Sequence, residues 1–557
     1  MDSGASSALL GEIFGVRLLA YLCGTDHDQM AHRVEESESL PQAAEAVLER
    51  LIPLAEAAAL QRAQNPGYPL SLALDMLGRY DAAAETTLAN VIRRSAGVDL
   101  PDAALGSSAD SDPVKAAAFR LARDAYPLLL VPSEEPWRRP LVPLFQHPAR
   151  HELEANFLED PTLARLFSDE DPGLGRRGMV FNNLGRGGSI QSVMLAETLI
   201  AAGWDRLSYT NGGRSLQDLL GAIDTNLDLV REALDGGEPR VPALVVFTGI
   251  TTAQAGDVET PWGVLRSISD AERRVAPSML EGEVSGTDPA GKSVTVSYAG
   301  ELTLATDLPY SLVPRPWSDI DEPFGNAPRP SGVDALRRRI EGVQLATFLA
   351  VERPLGSWVT ARLAWYWIGD PLGHGPALGW NDWRSQPGFM PYELNSDDCA
   401  ALAIWATYVE SHWRHEIDIA VRRVLSAAHM RNDPADRLVD AVIAWENLFG
   451  TSEGEPRLRI STAMAWLLED DHVNRAARAN EIKRLYDDRS KIVHGAPFDE
   501  NLLGERANDA VALARSSLQA LFRDRSDLLA LRDGATRSLN LILDSRSGQR
   551  NETRDRS

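Results

Sequence analysis

The stretch Asn480–Pro497, NEIKRLYDDRSKIVHGAP, decides how the last quarter of the chain folds. Ile482, Leu485, Tyr486, Ile492 and Val493 recur at three- and four-residue steps, the period of an amphipathic helix. Arg489 falls on the same stripe, seven residues after Ile482. An arginine turned toward a core must be paired or line a cavity, because an unpaired buried charge costs several kcal/mol. The spacing predicts that the helix stops at His494, with Gly495 as its left-handed cap and Pro497 just beyond. An imidazole there meets the negative end of the helix dipole.

A second helix is written upstream in Arg437–Gly450, RLVDAVIAWENLFG. Val439, Val442, Ile443 and Phe449 form an inward stripe, and Glu446 lies on it. A carboxylate and a guanidinium, each on the apolar face of its own helix, are natural partners across a bundle. The pattern therefore predicts a Glu446–Arg489 pair, either as a structural salt bridge or as part of a site.

The 557 residues are too many for one hydrophobic core, so two to four domains are expected. With 44% apolar and 24% charged residues the composition is that of a folded chain. Two cysteines, Cys23 and Cys399, exclude a disulfide scaffold and a Cys-rich zinc module. The N-terminal stretch MDSGASSALLGEIFGVRLLAYLCG has no basic leader, and no window resembles a bilayer span, so a soluble cytoplasmic protein is expected. The net charge of −24 is unevenly placed. Residues 1–421 carry 34 basic and 58 acidic groups, whereas 422–557 carry 22 of each. The acidic part would repel phosphates, which leaves the C-terminal quarter as the place for any contact with nucleic acid.

The expected fold is a multidomain α+β chain, mostly helical, with a β-containing central module and a C-terminal all-α bundle. Residues 1–131 read as helical; Ala43, Ala46, Val47, Leu51 and Leu54 form one stripe. Leu77–Arg94 resembles a single tetratricopeptide unit, but no second copy follows, so it reads as an ordinary helical hairpin. The proline-dense Pro132–Pro148 reads as a connection between subdomains. Residues 132–318 read as an α+β module. In it Gly185, Gly187 and Gly188 fit no phosphate-binding pattern, and Ser189 reads as the N-cap of the next helix. Pro242–Thr252 reads as a buried strand and Ser293–Thr306 as alternating strands around Ala299-Gly300, with turn residues before it at Gly286–Gly291. A linker over 319–332 leads to a helical domain, 333–545, and a polar tail, 546–557, expected to be disordered. Trp358, Trp365, Tyr366, Trp367, Trp380, Trp383, Phe389 and Tyr392 interrupt that domain, either packed against helices or stacking on unpaired bases.

The chain calls for no cofactor and no metal. His147 and His151 miss the zincin spacing, since Ala155 stands where the second histidine is needed. His412 and His415 read as two imidazoles on one helical face with no third ligand. Arg489-x4-His494 has a looser counterpart in Arg423-x5-His429, so spacing alone does not single it out; the capped helix end and the Glu446 helix do.

The block RLVDAVIAWENLFG…LRISTAMAWLL…IKRLYDDRSKIVHG resembles the ApeA-like branch of the HEPN superfamily. The match runs from Ile417 to Leu529 through Asp436–Asp440, Glu446–Phe449, Arg459 and Tyr486–Gly495. One departure is Ala463, which stands where such helices usually carry a second arginine. The resemblance implies a helical bundle, over about 417–529, that works as a dimeric, metal-independent endoribonuclease with Arg489, Ser490 and His494 at its active site. Glu446, Arg459, Tyr486 and Lys491 would support them. It also implies a role in anti-phage defence or as a toxin, with the N-terminal region sensing an unknown trigger or restraining the nuclease. The rival is a non-catalytic scaffold, a dimerisation or nucleotide-binding bundle in which Arg489–Glu446 is structural.

Cleavage by the ribose 2′-OH suits these residues: an imidazole moves protons near neutral pH, and a guanidinium holds phosphate as charge builds. Residues five apart on a helix differ by about 140° in direction and about 7.5 Å in height. Arg489 and His494 of one chain therefore converge only if the helix end unwinds, whereas two copies facing each other across a two-fold axis could build a composite site, and a homodimer through the C-terminal bundle is expected.

Overall fold

The computed structural model describes residues 3–543 apart from 37, 39–44, 65–70, 104–111, 133–143, 145, 172–174, 211, 253–254, 276–281, 288–292, 299–300, 317–329, 352–358, 360, 374–391, 432 and 452–453. The polar tail, nearly all of the linker and most of Pro132–Pro148 lie outside the described residues, as do Trp358, Trp380, Trp383 and Phe389. The chain is a multidomain α+β protein, mostly helical, with antiparallel sheets in its middle and a helical bundle at its C-terminal end. Among the described residues no helix is long and apolar enough to cross a membrane.

Near the N-terminus, helices Ser3–Cys23, Glu45–Gln64, Leu88–Ser95 and Pro113–Leu129 bury Phe14, Leu18, Val47, Leu51, Ile92 and Phe119 in one core. The expected hairpin at Leu77–Arg94 is not continuous helix. Helix Ser71–Leu77 gives way to a short antiparallel ribbon, Tyr80–Asp81 with Thr86–Thr87, before Leu88. The cause is polar side chains that compete with helical hydrogen bonds. The Asp81 carboxylate accepts from the Ala83 and Ala84 N–H groups, at 2.9 and 3.2 Å. The Thr86 hydroxyl and the Asn90 amide donate to buried Asp124, each at 3.0 Å.

The glycine-rich segment forms a hairpin, Gly175–Asn182 against Arg186–Gln191, turning through Gly185 at φ 77°. Ser189 lies in its second strand opposite Met179 and caps nothing. The following helix starts at Leu195, after a 3-10 turn over Ser192–Met194. Gly187 is glycine because a Cβ there would come within 2.2 Å of the Phe181 ring.

The main sheet has five antiparallel strands in the order Arg362–Ile368, Arg240–Thr248, Leu302–Pro309, Gly263–Ser267, Val258–Thr260. Buried Val241, Val245, Val246 and Phe247 make Arg240–Thr248 its apolar centre. Strands lie on either side of Ala299-Gly300, as expected, but they do not pair with each other. Ser293–Tyr298 pairs with Gly282–Thr287, whereas Leu302–Pro309 joins the main sheet.

A larger correction concerns the expected boundary after 332. Strand Arg362–Ile368 lies in the aromatic-rich interruption of the C-terminal helical region, and it forms one edge of the main sheet, Trp365 opposite Val246 and Ile368 opposite Ala243. Trp365 and Trp367 are buried there against Tyr209, whose ring stacks on Trp367 at 4.9 Å. These two aromatics are packing residues. Helix Ser331–Ala350, which precedes the strand, donates the Arg339 guanidinium to the Asp307 carbonyl of the neighbouring strand at 2.7 Å.

The bundle itself is built from Pro434–Phe449, Pro456–Leu468, His472–Val493, Glu500–Arg523 and Gly534–Leu543, around Leu438, Trp445, Phe449, Met464, Val511 and Phe522. Pro434 and Pro456 open their helices where a missing N–H costs nothing. Truncating a fully buried Trp costs about 3–5 kcal/mol. We expect Trp365→Ala to lower the urea midpoint by a corresponding amount, and a loss below about 1 kcal/mol would show that the edge strand is not part of the core.

Candidate functional site

The helix carrying Arg489 runs from His472 to Val493, opened by the Asp471 carboxylate on the Val473 and Asn474 N–H groups. Its end follows the sequence expectation. His494 is the C-cap and Gly495 has φ 67°. The Gly495 N–H donates to the Ile492 carbonyl at 3.2 Å and the Ala496 N–H to the Lys491 carbonyl at 2.9 Å, the two bonds of a Schellman motif.

The burial of this helix is not what the apolar spacing implies. Of its 22 residues only Ile482 and Leu485 are fully buried. Tyr486 and Ile492 are half-buried, and Val493 is 52% exposed. In the Glu446 helix the fully buried side is Leu438, Ala441, Val442, Trp445, Leu448 and Phe449, while Val439, Ile443 and Glu446 flank it.

The cross-helix pair is present. The Arg489 guanidinium lies 3.6 Å from Glu446 Oε2, and the Tyr486 hydroxyl donates to Glu446 Oε1 at 2.8 Å. Burial, and then the adjacent carboxylate, push the Tyr486 phenol up to about 12. Arg489 is 22% exposed, and its Nε is buried without a hydrogen-bond partner. At 3.6 Å the ion pair is too long for a good hydrogen bond, so the guanidinium keeps donors to spare.

Ser490 is half-buried, while Lys491 and His494 are exposed on the last turn. The Lys491 ammonium donates to Asp488 at 3.0 Å, Arg506 lies 3.7 Å from the same carboxylate, and Arg457 pairs with Asp487. Arg457 and Arg506 are the residues that sequence reading missed. They neutralise the two aspartates of the YDDRSK run from other helices, with no local pattern to announce them. The helix remains regular to Val493, so Arg489 and His494 of one chain keep their separation of roughly five residues of helix.

Arg459 does not join them. Its guanidinium donates to the Ser538 hydroxyl at 2.7 Å and to the Ala535 carbonyl at 2.6 Å, tying down helix Gly534–Leu543. Ala463 is fully buried. In the Asp436–Asp440 motif Asp436 is exposed, whereas buried Asp440 accepts from Arg423, Ser426 and Arg431 at 2.7, 2.7 and 3.1 Å.

His147 and His429 are buried, whereas His151 and His415 are exposed. His147 bonds Asp124 at 2.8 Å and caps helix Pro148–Glu159, while His151 is exposed. His412 and His415 do not share a helical face, because the helix ends at His412. There Trp413 turns out of it, its indole donating to Asp418 at 2.8 Å with Arg338 over its ring. His429 is buried in a π-helical turn, Ser426–Met430, with both ring nitrogens unpartnered. Among the described residues no group of three or more His, Cys, Asp or Glu is placed to hold a metal ion. No protein family, no curated protein and no solved structure matches the chain.

Burial, and then the charge of Arg362, push the His429 imidazole down to about 3. The unfolded chain takes up this proton near pH 6.5 and the folded chain refuses it. Stability is therefore lost as pH falls from about 6.5 toward 3, by about 1.4 kcal/mol per pH unit within that window. We expect His429→Leu to flatten the acid limb of a plot of urea midpoint against pH. Parallel limbs for variant and wild type would contradict the assignment.

Proposed function

We propose that the C-terminal bundle is a HEPN-type, metal-independent endoribonuclease. In this reading the ribose 2′-OH loses its proton and attacks the adjacent phosphorus. The P–O5′ bond breaks, the leaving 5′-oxygen is protonated, and a 2′,3′-cyclic phosphate remains. Arg489 holds the phosphodiester, His494 transfers a proton and Ser490 orients the phosphate or the imidazole. Glu446 and Tyr486 position Arg489, and Lys491 adds charge at the rim. The observation that carries the reading is the half-buried Arg489 guanidinium, loosely paired with Glu446, one turn from an exposed His494 at a capped helix end.

The separation of Arg489 and His494 supports a composite site across two subunits, and helix His472–Val493, only two of whose residues are fully buried, offers the surface for that dimer. The acidic N-terminal part suits restraint of RNA binding until an unknown trigger acts, in a cytoplasmic defence or toxin protein. A second reading is favoured by the internal use of Arg459 and the buried Ala463, neither of which adds positive charge beside Arg489. It makes the bundle a non-catalytic scaffold held by the Glu446–Arg489 salt bridge.

The two readings separate in one assay, with the full chain incubated with tRNA and total RNA in EDTA. The nuclease reading expects cyclic-phosphate ends and a loss of about 10²–10⁴-fold in His494→Ala at unchanged Tm. It also expects recovery of about a quarter of the activity when Arg489→Ala and His494→Ala proteins are mixed, since half the dimers then carry one intact site of two. Absence of cleavage by the wild type, with equal loss of Tm in both variants, would establish the scaffold.

A further inference from the structure

A cavity of about 660 Å³ lies far along the chain from the Arg489 helix, lined by parts of helices Ser3–Cys23, Leu195–Tyr209 and Asp270–Val275 and by the end of Pro113–Leu129. Three of its lining residues are Arg17, Arg214 and Arg274. Among the described residues none of the three has an ion-pair partner. The charges acting on Arg214 are those of Arg17 and Arg274, and the cation acting on Arg17 is Arg274. Burial first, and then these neighbours, push the Arg214 guanidinium down to about 10 and lower that of Arg17. Asp205 lines the same space but is not among the charges acting on either.

Such a cluster of like charges is unfavourable on its own. It is also conspicuous in a region where carboxylates outnumber cations by 24, so that partners were abundant in the sequence. Two further features point the same way. Helix Ser3–Cys23 breaks at Gly15, with φ 76° and ψ 155°, so a new helical segment starts at Val16, and Gly15, Val16 and Arg17 all line the cavity. A helix start presents free N–H groups and the positive end of a dipole. The break is built in: a Cβ at Gly15 would come within 2.5 Å of Pro132. Arg214 also stands 5.7 Å over the Trp204 ring, and its own carbonyl accepts from the Tyr126 hydroxyl at 2.8 Å, which holds its backbone in place.

We propose that this cavity binds a small phosphorylated polyanion of the nucleoside-triphosphate class, its phosphates held by Arg17, Arg214 and Arg274 at the start of the Val16 helix segment. Guanidinium pairs match phosphate oxygens in geometry as well as charge. The volume fits a ligand of nucleotide size and exceeds what a single inorganic phosphate fills. The inference stands apart from the nuclease reading, since its readout involves no RNA.

The test is thermal unfolding of the full chain with ATP, GTP, inorganic triphosphate, inorganic phosphate or adenosine at millimolar concentration. We expect ATP, GTP or triphosphate to raise Tm by several degrees, less so in high salt, and adenosine to leave it unchanged. A response to triphosphate equal to that of the nucleotides would place recognition in the phosphates; a larger response to nucleotides would place part of it in the base. We expect Arg17→Gln/Arg214→Gln to abolish the shift and to melt at or above the wild-type temperature without ligand, because like charges have been removed. The partly exposed single variant Arg274→Gln should weaken binding without unfolding the chain. No shift with any phosphate compound, or an undiminished shift in the double variant, would overturn the proposal.

Discussion

The bundle depends on how Arg537 ends the Glu446 helix. The last carbonyls of a helix have no partner inside it. Here the fully buried Arg537 guanidinium donates to the Asn447 and Leu448 carbonyls, each at 2.8 Å, and to the Leu531 carbonyl at 2.8 Å. One side chain thus satisfies the orphan acceptors of helix Pro434–Phe449 and places a positive charge at the negative end of its dipole. Gly534, at the start of the arginine's own helix, lies so close that a Cβ would meet the Asn447 carbonyl and Gly450 at 2.9 Å. Arg459 fastens the same C-terminal helix from the other side. Glu446 is one residue before the first capped carbonyl, so its reach toward Tyr486 and Arg489 is fixed by this cap.

The same device recurs where the bundle meets the preceding part of the chain. Buried Arg515 donates to the Phe348 and Leu349 carbonyls, at 2.8 and 3.1 Å, closing helix Ser331–Ala350. That helix leads toward strand Arg362–Ile368, which adds an edge to the main sheet. The helical region and the β module are therefore joined by a shared strand and by helix Ser331–Ala350. A boundary drawn between them from composition cuts through both.

What the sequence made legible was local. The end of the helix at His494, its left-handed Gly495 and the reach of Glu446 to Arg489 all follow from spacing within one or two helices. The failures share a different character. Ser189 looks like a cap only until the strand Gly175–Asn182 is seen to pair with it, and Leu77–Arg94 looks helical until Asp124, thirty residues on, claims Thr86 and Asn90. Arg459 reads as a site residue because its partners, Ala535 and Ser538, are more than seventy residues away. Val493 fits the apolar stripe, but its side chain is left half-exposed, since spacing along one helix does not say how far the neighbours cover it. Arg17, Arg214 and Arg274 carry no motif, because nothing in one dimension brings them together.

The arginine-lined cavity and the C-terminal region are not isolated from each other. Tyr209 lines the cavity and stacks on Trp367, in the edge strand that precedes the bundle. A ligand shifts an equilibrium only by binding its two states with different affinity. An anion drawing Arg17 and Arg214 together acts on the helix that carries Tyr209, because Trp204, Asp205 and Ser208 of that helix line the same space. Tyr209 and Trp367 are both buried, so a change in one ring's position cannot be absorbed by solvent and must be met by the other. The Tyr209–Trp367 stack thus packs the helix that lines the arginine cavity directly against the edge strand that leads toward the bundle.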